Sequence, residues 1–233
     1  MPRRITVEAC VERLDDALAA VAAGADRIEL NAALELDGLS PSDALLAEVR
    51  RAVRVPVIAM ARPRAGHFCY SSTEFRSVRH DVERALANGA DGVAFGALAD
   101  DGQLDVGRCR EVVRAVEAVR ASAVTVFHRA FDVVGDPHTA LEQLVDLGVR
   151  RVMTSGQRPT ALDGAALIAA LVRRSAGRIE ILPAGGVRAA NALDLLRRTG
   201  CDQLHTSARG PAGRFSDAVL LEMVSQLTFH AGD

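Results

Sequence analysis

Ala23-Gly24-Ala25-Asp26-Arg27-Ile28-Glu29-Leu30 is the stretch on which the fold turns, because its outline recurs along the chain. It returns as Asn88-Gly89-Ala90-Asp91-Gly92-Val93-Ala94-Phe95. Weaker copies are Leu147-Gly148-Val149-Arg150-Arg151-Val152-Met153-Thr154 and Thr199-Gly200-Cys201-Asp202-Gln203-Leu204-His205-Thr206. Each follows an amphipathic stretch rich in alanine and leucine. Physically this is a helix closed by glycine, where a left-handed backbone meets no Cβ clash, and then a short turn into a buried strand.

Outward from these copies, apolar runs at 5–9, 55–60, 124–127 and 179–182 bring the strand count to eight. Helical patterns follow at 11–23, 41–52, 74–87, 106–119, 137–147, 162–174, 191–198 and 217–227. Ser40-Pro41 and Asp136-Pro137 read as N-cap plus Pro at N1, and Ser71-x-x-Glu74 reads as a capping box. Short strands alternating with helices make parallel βαβ units, and eight without a linker predict one (β/α)8 TIM barrel over 1–233. An open doubly wound sheet would carry a glycine-rich turn after the first strand, where Cys10-Val11-Glu12-Arg13 stands instead.

Composition narrows the chemistry. The 233 residues are 49% hydrophobic with a net charge of -2, enough apolar mass for one large core and no basic stripe for nucleic acid. All 28 cations are arginine, so Schiff-base, pyridoxal-phosphate and Walker-loop chemistry lack their lysine. Aromatics at 3% provide no stacking platform for single strands. No run approaches a membrane span, and Met1-Pro2-Arg3-Arg4 introduces no apolar signal core. Four cysteines without a Cys-x-x-Cys pair read as reduced thiols of a cytoplasmic protein.

Strand parity then places the site. Ile5, Val7 and Ala9 face the helices, so Thr6, Glu8 and Cys10 point inward; likewise Ile28 and Leu30 outward leave Glu29 and Asn31 inward. His205, Ser207 and Arg209 belong to the lumen or mouth of strand eight. Buried carboxylates need cations, and Arg62 and Arg129, at the ends of strands three and five, are the expected partners. Either they form a structural ion network, or the arginines hold an anion while Glu8 or Glu29 works as acid or base with His128 and His205. Parity at strand five leaves open whether His128 or Arg129 faces the lumen. The loops after strands seven and eight, with Gly185, Gly186, Ser207 and Arg209, suit a phosphate, and Ser155 at the end of strand six is grouped with them. His67-Phe68-Cys69 is a weak metal spacing.

Val7-Glu8-Ala9-Cys10, Arg62-Pro63-Arg64 with Phe68-Cys69-Tyr70-Ser71, Phe127-His128-Arg129-Ala130-Phe131-Asp132, Thr154-Ser155-Gly156-Gln157 and Gly185-Gly186-Val187 together resemble the CutC family, long named copper homeostasis proteins. The resemblance spans nearly the whole chain. It implies a cytoplasmic barrel, commonly a homodimer or larger homo-oligomer, with a role in copper tolerance and Cu(I) held by cysteines. One family cysteine matches Cys10. The second is Asn31 here, which is no ligand for Cu(I), so Cys69, Met60 or a histidine would have to complete the site. Two functions therefore stand: a Cu(I)-binding homeostasis protein using Cys10 and Cys69, and an enzyme acting on a small anionic or phosphorylated metabolite through Glu8, Glu29, Arg62, His128, Arg129 and His205.

Overall fold

In a computed structural model describing residues 5–230, eight strands alternate with eight helices: β1 Thr6–Val11, α1 Leu14–Ala22, β2 Arg27–Leu30, α2 Asp43–Ala52, β3 Val57–Met60, α3 Ser72–Ala87, β4 Gly92–Phe95, α4 Val106–Arg120, β5 Val124–Phe127, α5 Pro137–Asp146, β6 Arg151–Thr154, α6 Ala165–Ser175, β7 Glu180–Pro183, α7 Ala189–Thr199, β8 Gln203–Thr206 and α8 Asp217–His230. The first four and last three residues of the single domain expected over 1–233 lie outside the described residues, as does the Met1–Arg4 leader reading.

All pairings are parallel, in the order β7-β6-β5-β4-β3-β2-β1-β8. The ring is nearly closed. At its seam, Gln203 of β8 donates to Glu180 Oε2 of β7 at 3.3 Å, and Thr206 Oγ1 of β8 donates to the carbonyl of Val187 in the loop after β7 at 3.0 Å. The (β/α)8 expectation is met.

The repeated turn explains how the units join. Gly24 and Gly89 sit at φ +96° and +91°, reversing the chain after α1 and α3 where a Cβ would be strained. Two residues on, the aspartate ties neighbouring strands together. Asp26 Oδ2 accepts from the N–H of Val7, and Asp91 Oδ2 from that of Val57, each at 2.9 Å. One cap is displaced from its expected place: α2 begins after Ser42, whose Oγ accepts from Leu45 N–H at 3.2 Å. Ser40 is unavailable for that role, since its Oγ accepts from Arg62 N–H at 2.9 Å and donates to Asp81.

Two apolar clusters follow from strand alternation. The larger joins outward residues such as Val7, Ile28, Ala59, Phe95, Phe127 and Val152 to the helices. The smaller fills part of the lumen with Ile58, Met60, Ala94, Val126, Met153, Leu182 and Ala184, all from β3 to β7 and its end. On β8, β1 and β2 the inward residues are instead Gln203, His205, Glu8, Cys10, Arg27 and Glu29, all buried. The lumen thus has an apolar wall and a polar wall, and the polar wall carries the chemistry.

Candidate functional site

Register decides which polar groups meet. Glu8 pairs with Arg27 on β2 and with His205 on β8, while Cys10 pairs with Glu29. Arg27 Nε donates to Glu8 Oε2, and Arg27 Nη2 donates to Gln203 Oε1 at 2.9 Å. On its other side Glu8 Oε1 lies 2.8 Å from His205 Nδ1. Arg27, not Arg62 or Arg129, is therefore the partner of Glu8; strand stagger sets this, and the expected pairing is corrected.

The network sets the charges. Burial alone would push the Glu8 carboxyl up, but Arg27 and His205 outweigh it and hold it far below the usual carboxylate range. Burial opposes charge on His205, yet Glu29 and Glu8 prevail and raise its pKa. Glu29 is raised, by burial first and by Glu8 as well, and burial with Glu29 beside it keeps the Cys10 thiol protonated.

Above this network lies a cavity of about 600 Å³ at the C-terminal end of the barrel. Of the expected residues, Cys10, Glu29, Arg62, His128, Arg129, His205, Gly185, Gly186, Ser207 and Arg209 line it. Glu8 sits behind His205, outside the lining.

Three expected roles are corrected. Arg62 is occupied by backbone: Nη1 donates to the carbonyls of Leu36, Asp37 and Gly38 at 3.1–3.2 Å, and Nη2 to that of Gly66 at 3.0 Å. It stacks on Phe68 at 5.0 Å and clamps two loops, leaving little with which to grip a ligand. Ser155 is fully buried and does not line the cavity, its Oγ bonded to Asp132, Arg158 and Arg129. Cys69 lies on a separate surface depression with His67, and its thiol donates to Ala99 at 3.2 Å, so it does not join Cys10.

Both residues at the end of β5 reach the cavity, which resolves the parity question. His128 continues the inward row of Val124 and Val126, its ring tilted at 52° to that of Phe68 with centroids 5.0 Å apart. Its Nδ1 accepts from Ala130 N–H at 3.1 Å, so the neutral ring carries its proton on Nε2, which has no protein partner. Burial and Arg62 push its pKa down to about 3. Arg129 opens the one-turn helix 129–133 at the mouth. Gly96 makes room for this arrangement, since a Cβ there would collide with the His128 ring and meet Ala130 Cβ at 2.7 Å. Gly96→Ala is expected to cost about 1–3 kcal/mol through overpacking, read as a lower urea midpoint with unchanged slope.

Sequence reading missed Arg27, Arg151, Gln203 and Asp132. The first three obey the same alternation as Glu29, Met153 and His205, so parity carried the signal. Asp132 accepts from Thr154 Oγ1 at 2.6 Å, Ser155 N–H at 2.9 Å and Arg129 Nε at 2.8 Å, and no periodicity marks it.

One donor atom each from Cys10, Glu29 and His205 lie within 4.8 Å of one another. Because Glu8 occupies Nδ1, His205 turns Nε2 toward Glu29, 3.9 Å from Oε2. An imidazole backed by a carboxylate is how proteins orient a metal-binding histidine. Asn31 donates Nδ2 to Cys10 Sγ at 3.2 Å and to Glu29 Oε2 at 2.9 Å. It supports the thiol without ligating.

A family model described as the CutC family matches residues 5–210. A CutC family protein of Treponema denticola is 48% identical over 206 residues, spanning 88% of this chain and 82% of the relative. A human protein named as a copper homeostasis protein cutC homolog is 41% identical over 203 residues, spanning 87% and 73%. A solved CutC structure from Streptococcus agalactiae superposes with a TM-score of 0.82 at 31% identity, covering 87% of this chain and 98% of that one.

Proposed function

The chain belongs to the CutC family, and from that premise we propose that it serves copper homeostasis by binding Cu(I) inside the barrel at Cys10 and His205. The observation that carries this reading is the lumen cluster of Cys10, Glu29 and His205, with His205 held from behind by Glu8.

The donor set fits in the respects that matter for a soft monovalent ion. A thiolate is the ligand Cu(I) prefers, and imidazole suits copper. The thioethers of Met60 and Met153 line the same cavity. Binding requires the Cys10 thiol to lose its proton and His205 to present an unprotonated Nε2, so Cu(I) uptake releases protons and weakens as the pH falls. Glu29, a hard oxygen donor, is the poorer ligand, and its part is to take up positive charge beside the thiol. The same reading places the protein in the cytoplasm, with its free cysteines reduced, as one domain over 1–233 within a homo-oligomer. Among the described residues no helix is long and apolar enough to cross a membrane.

Anaerobic titration of Cu(I) against a competing chelator tests it. Cys10→Ser is expected to weaken binding by more than the roughly 10–100-fold that loss of an outer-shell partner costs, and Cys69→Ser to leave it unchanged. Equal affinity of wild type and Cys10→Ser would remove copper from the lumen.

A further inference from the structure

The mouth of the cavity holds an arginine that the lumen network does not use. Arg129 is oriented by two bonds, from Nε to Asp132 at 2.8 Å and from Nη2 to Ser155 Oγ at 3.2 Å. Its remaining nitrogen faces the turn after β7, where a Cβ on Gly185 would lie 3.6 Å from Cζ and 3.7 Å from Nη1. Gly185 and Gly186, at φ +103° and +68°, bring bare backbone to the same spot. That turn runs through Arg188, which also lines the cavity, into the positive N-terminal end of the eleven-residue helix α7.

Opposite lies the reverse polarity. The β2 side of the cavity presents Glu29, Glu35 and Asp37. The two arginines beside them are engaged by backbone, Arg62 with the carbonyls of Leu36, Asp37 and Gly38 and Arg209 with that of Leu34. Glu29 Oε1 is buried and without a hydrogen-bond donor, a group that gains by accepting one. His128, at the end of β5 beside Arg129, has an unpartnered Nε2 that donates when neutral. An anion fits the β5–β7 end, whereas the β2 end, with the open Glu29 acceptor and its arginines engaged by backbone, favours hydroxyl groups. The space, about 600 Å³, is that of a small-molecule site and far larger than one ion needs.

We propose that this cavity binds a small phosphate monoester with a hydroxyl-bearing carbon chain, its phosphate held by Arg129, Arg188 and the Gly185–Gly186 turn and its hydroxyls directed toward Glu29. The guanidinium is set in place before the ligand arrives, which lowers the ordering cost of binding. The phosphate end of the site stands apart from Cys10, whereas the hydroxyl end meets Glu29 of the Cys10–Glu29–His205 cluster, so variants at Arg129 and Arg188 are what separate this reading from copper binding.

Calorimetric titration with glycerol 3-phosphate, inorganic phosphate and acetate, at ionic strength matched with chloride, decides the matter. Glycerol 3-phosphate is expected to bind saturably and more tightly than inorganic phosphate, and acetate only weakly. Arg129→Gln is expected to weaken glycerol 3-phosphate by about 10- to 100-fold, the loss of a charge-assisted pair. Arg188→Gln, a change at the half-buried rim, is expected to weaken it severalfold and serves if Arg129→Gln does not fold. Cu(I) affinity should be the same in both variants. Absence of saturable binding, equal binding of acetate, or affinity unchanged in both variants would overturn the assignment.

Discussion

Arg27→Ala is expected to lower the unfolding free energy by about 3–5 kcal/mol, the cost of leaving a buried charge without its partner. The size follows from where Arg27 sits. Glu8 is 1% exposed and Arg27 8% exposed, so neither recovers water when the other is lost. Arg27 also leads a longer chain of contacts. It donates to Gln203, Gln203 donates to Glu180 across the seam, and Glu180 receives Arg151 at 2.7 Å. Without Arg27, Glu8 keeps only His205 as a cationic neighbour in hydrogen-bond contact, and the side-chain bridge between β8 and β7 loses its anchor. The double variant Arg27→Met with Glu8→Leu removes both charges and should recover much of the loss, since replacing both partners by apolar groups is often near neutral. Urea denaturation of the three proteins provides the comparison. A single-variant loss below about 1 kcal/mol would mean that water reaches Glu8 and that the polar wall is not the dry network described here.

That network shows where sequence reasoning reached and where it stopped. Period-two alternation placed Glu8, Cys10, Glu29 and Asn31 in the lumen, and it applied equally to Arg27, Arg151 and Gln203, one step toward the strand starts. Which of these stand level with one another depends on strand stagger. Stagger is fixed by the turns and by ties such as Asp26 to Val7, not by any single strand's pattern. Loops were less legible still. Arg62 was placed correctly at a strand end, but its capture by three successive carbonyls requires the β2–α2 loop to fold back, with Ala33, Asp37 and Gly38 all at positive φ. Asp132 gathers five donors from β6, its following loop and Arg129, and only tertiary structure brings them to it.

Acidification from pH 6.5 to 4.5 is expected to remove roughly 2–3 kcal/mol of stability through His128 alone. Its folded pKa is depressed to about 3, whereas the unfolded chain protonates near 6.5. The unfolded state therefore takes up a proton first, so stability is full above about pH 6.5 and falls as the pH drops toward 3. Other buried groups act in different windows or with the opposite sign. The contribution of Glu8, whose folded pKa is lowered, fades only below the ordinary carboxylate range. That of His205, whose folded pKa is raised, is complete below about pH 6.5 and is lost on the alkaline side. The difference between wild type and His128→Asn isolates the His128 contribution, because asparagine can accept the Ala130 N–H without titrating. Chemical denaturation at pH 7.0, 5.5 and 4.5 should show the two proteins converging as the pH falls. Parallel curves would place a counter-charge or water at Nε2 and would end the description of His128 as a permanently neutral donor. Convergence would identify the imidazole as a group kept uncharged by burial and by Arg62, suited to hydrogen-bond a ligand oxygen at any physiological pH.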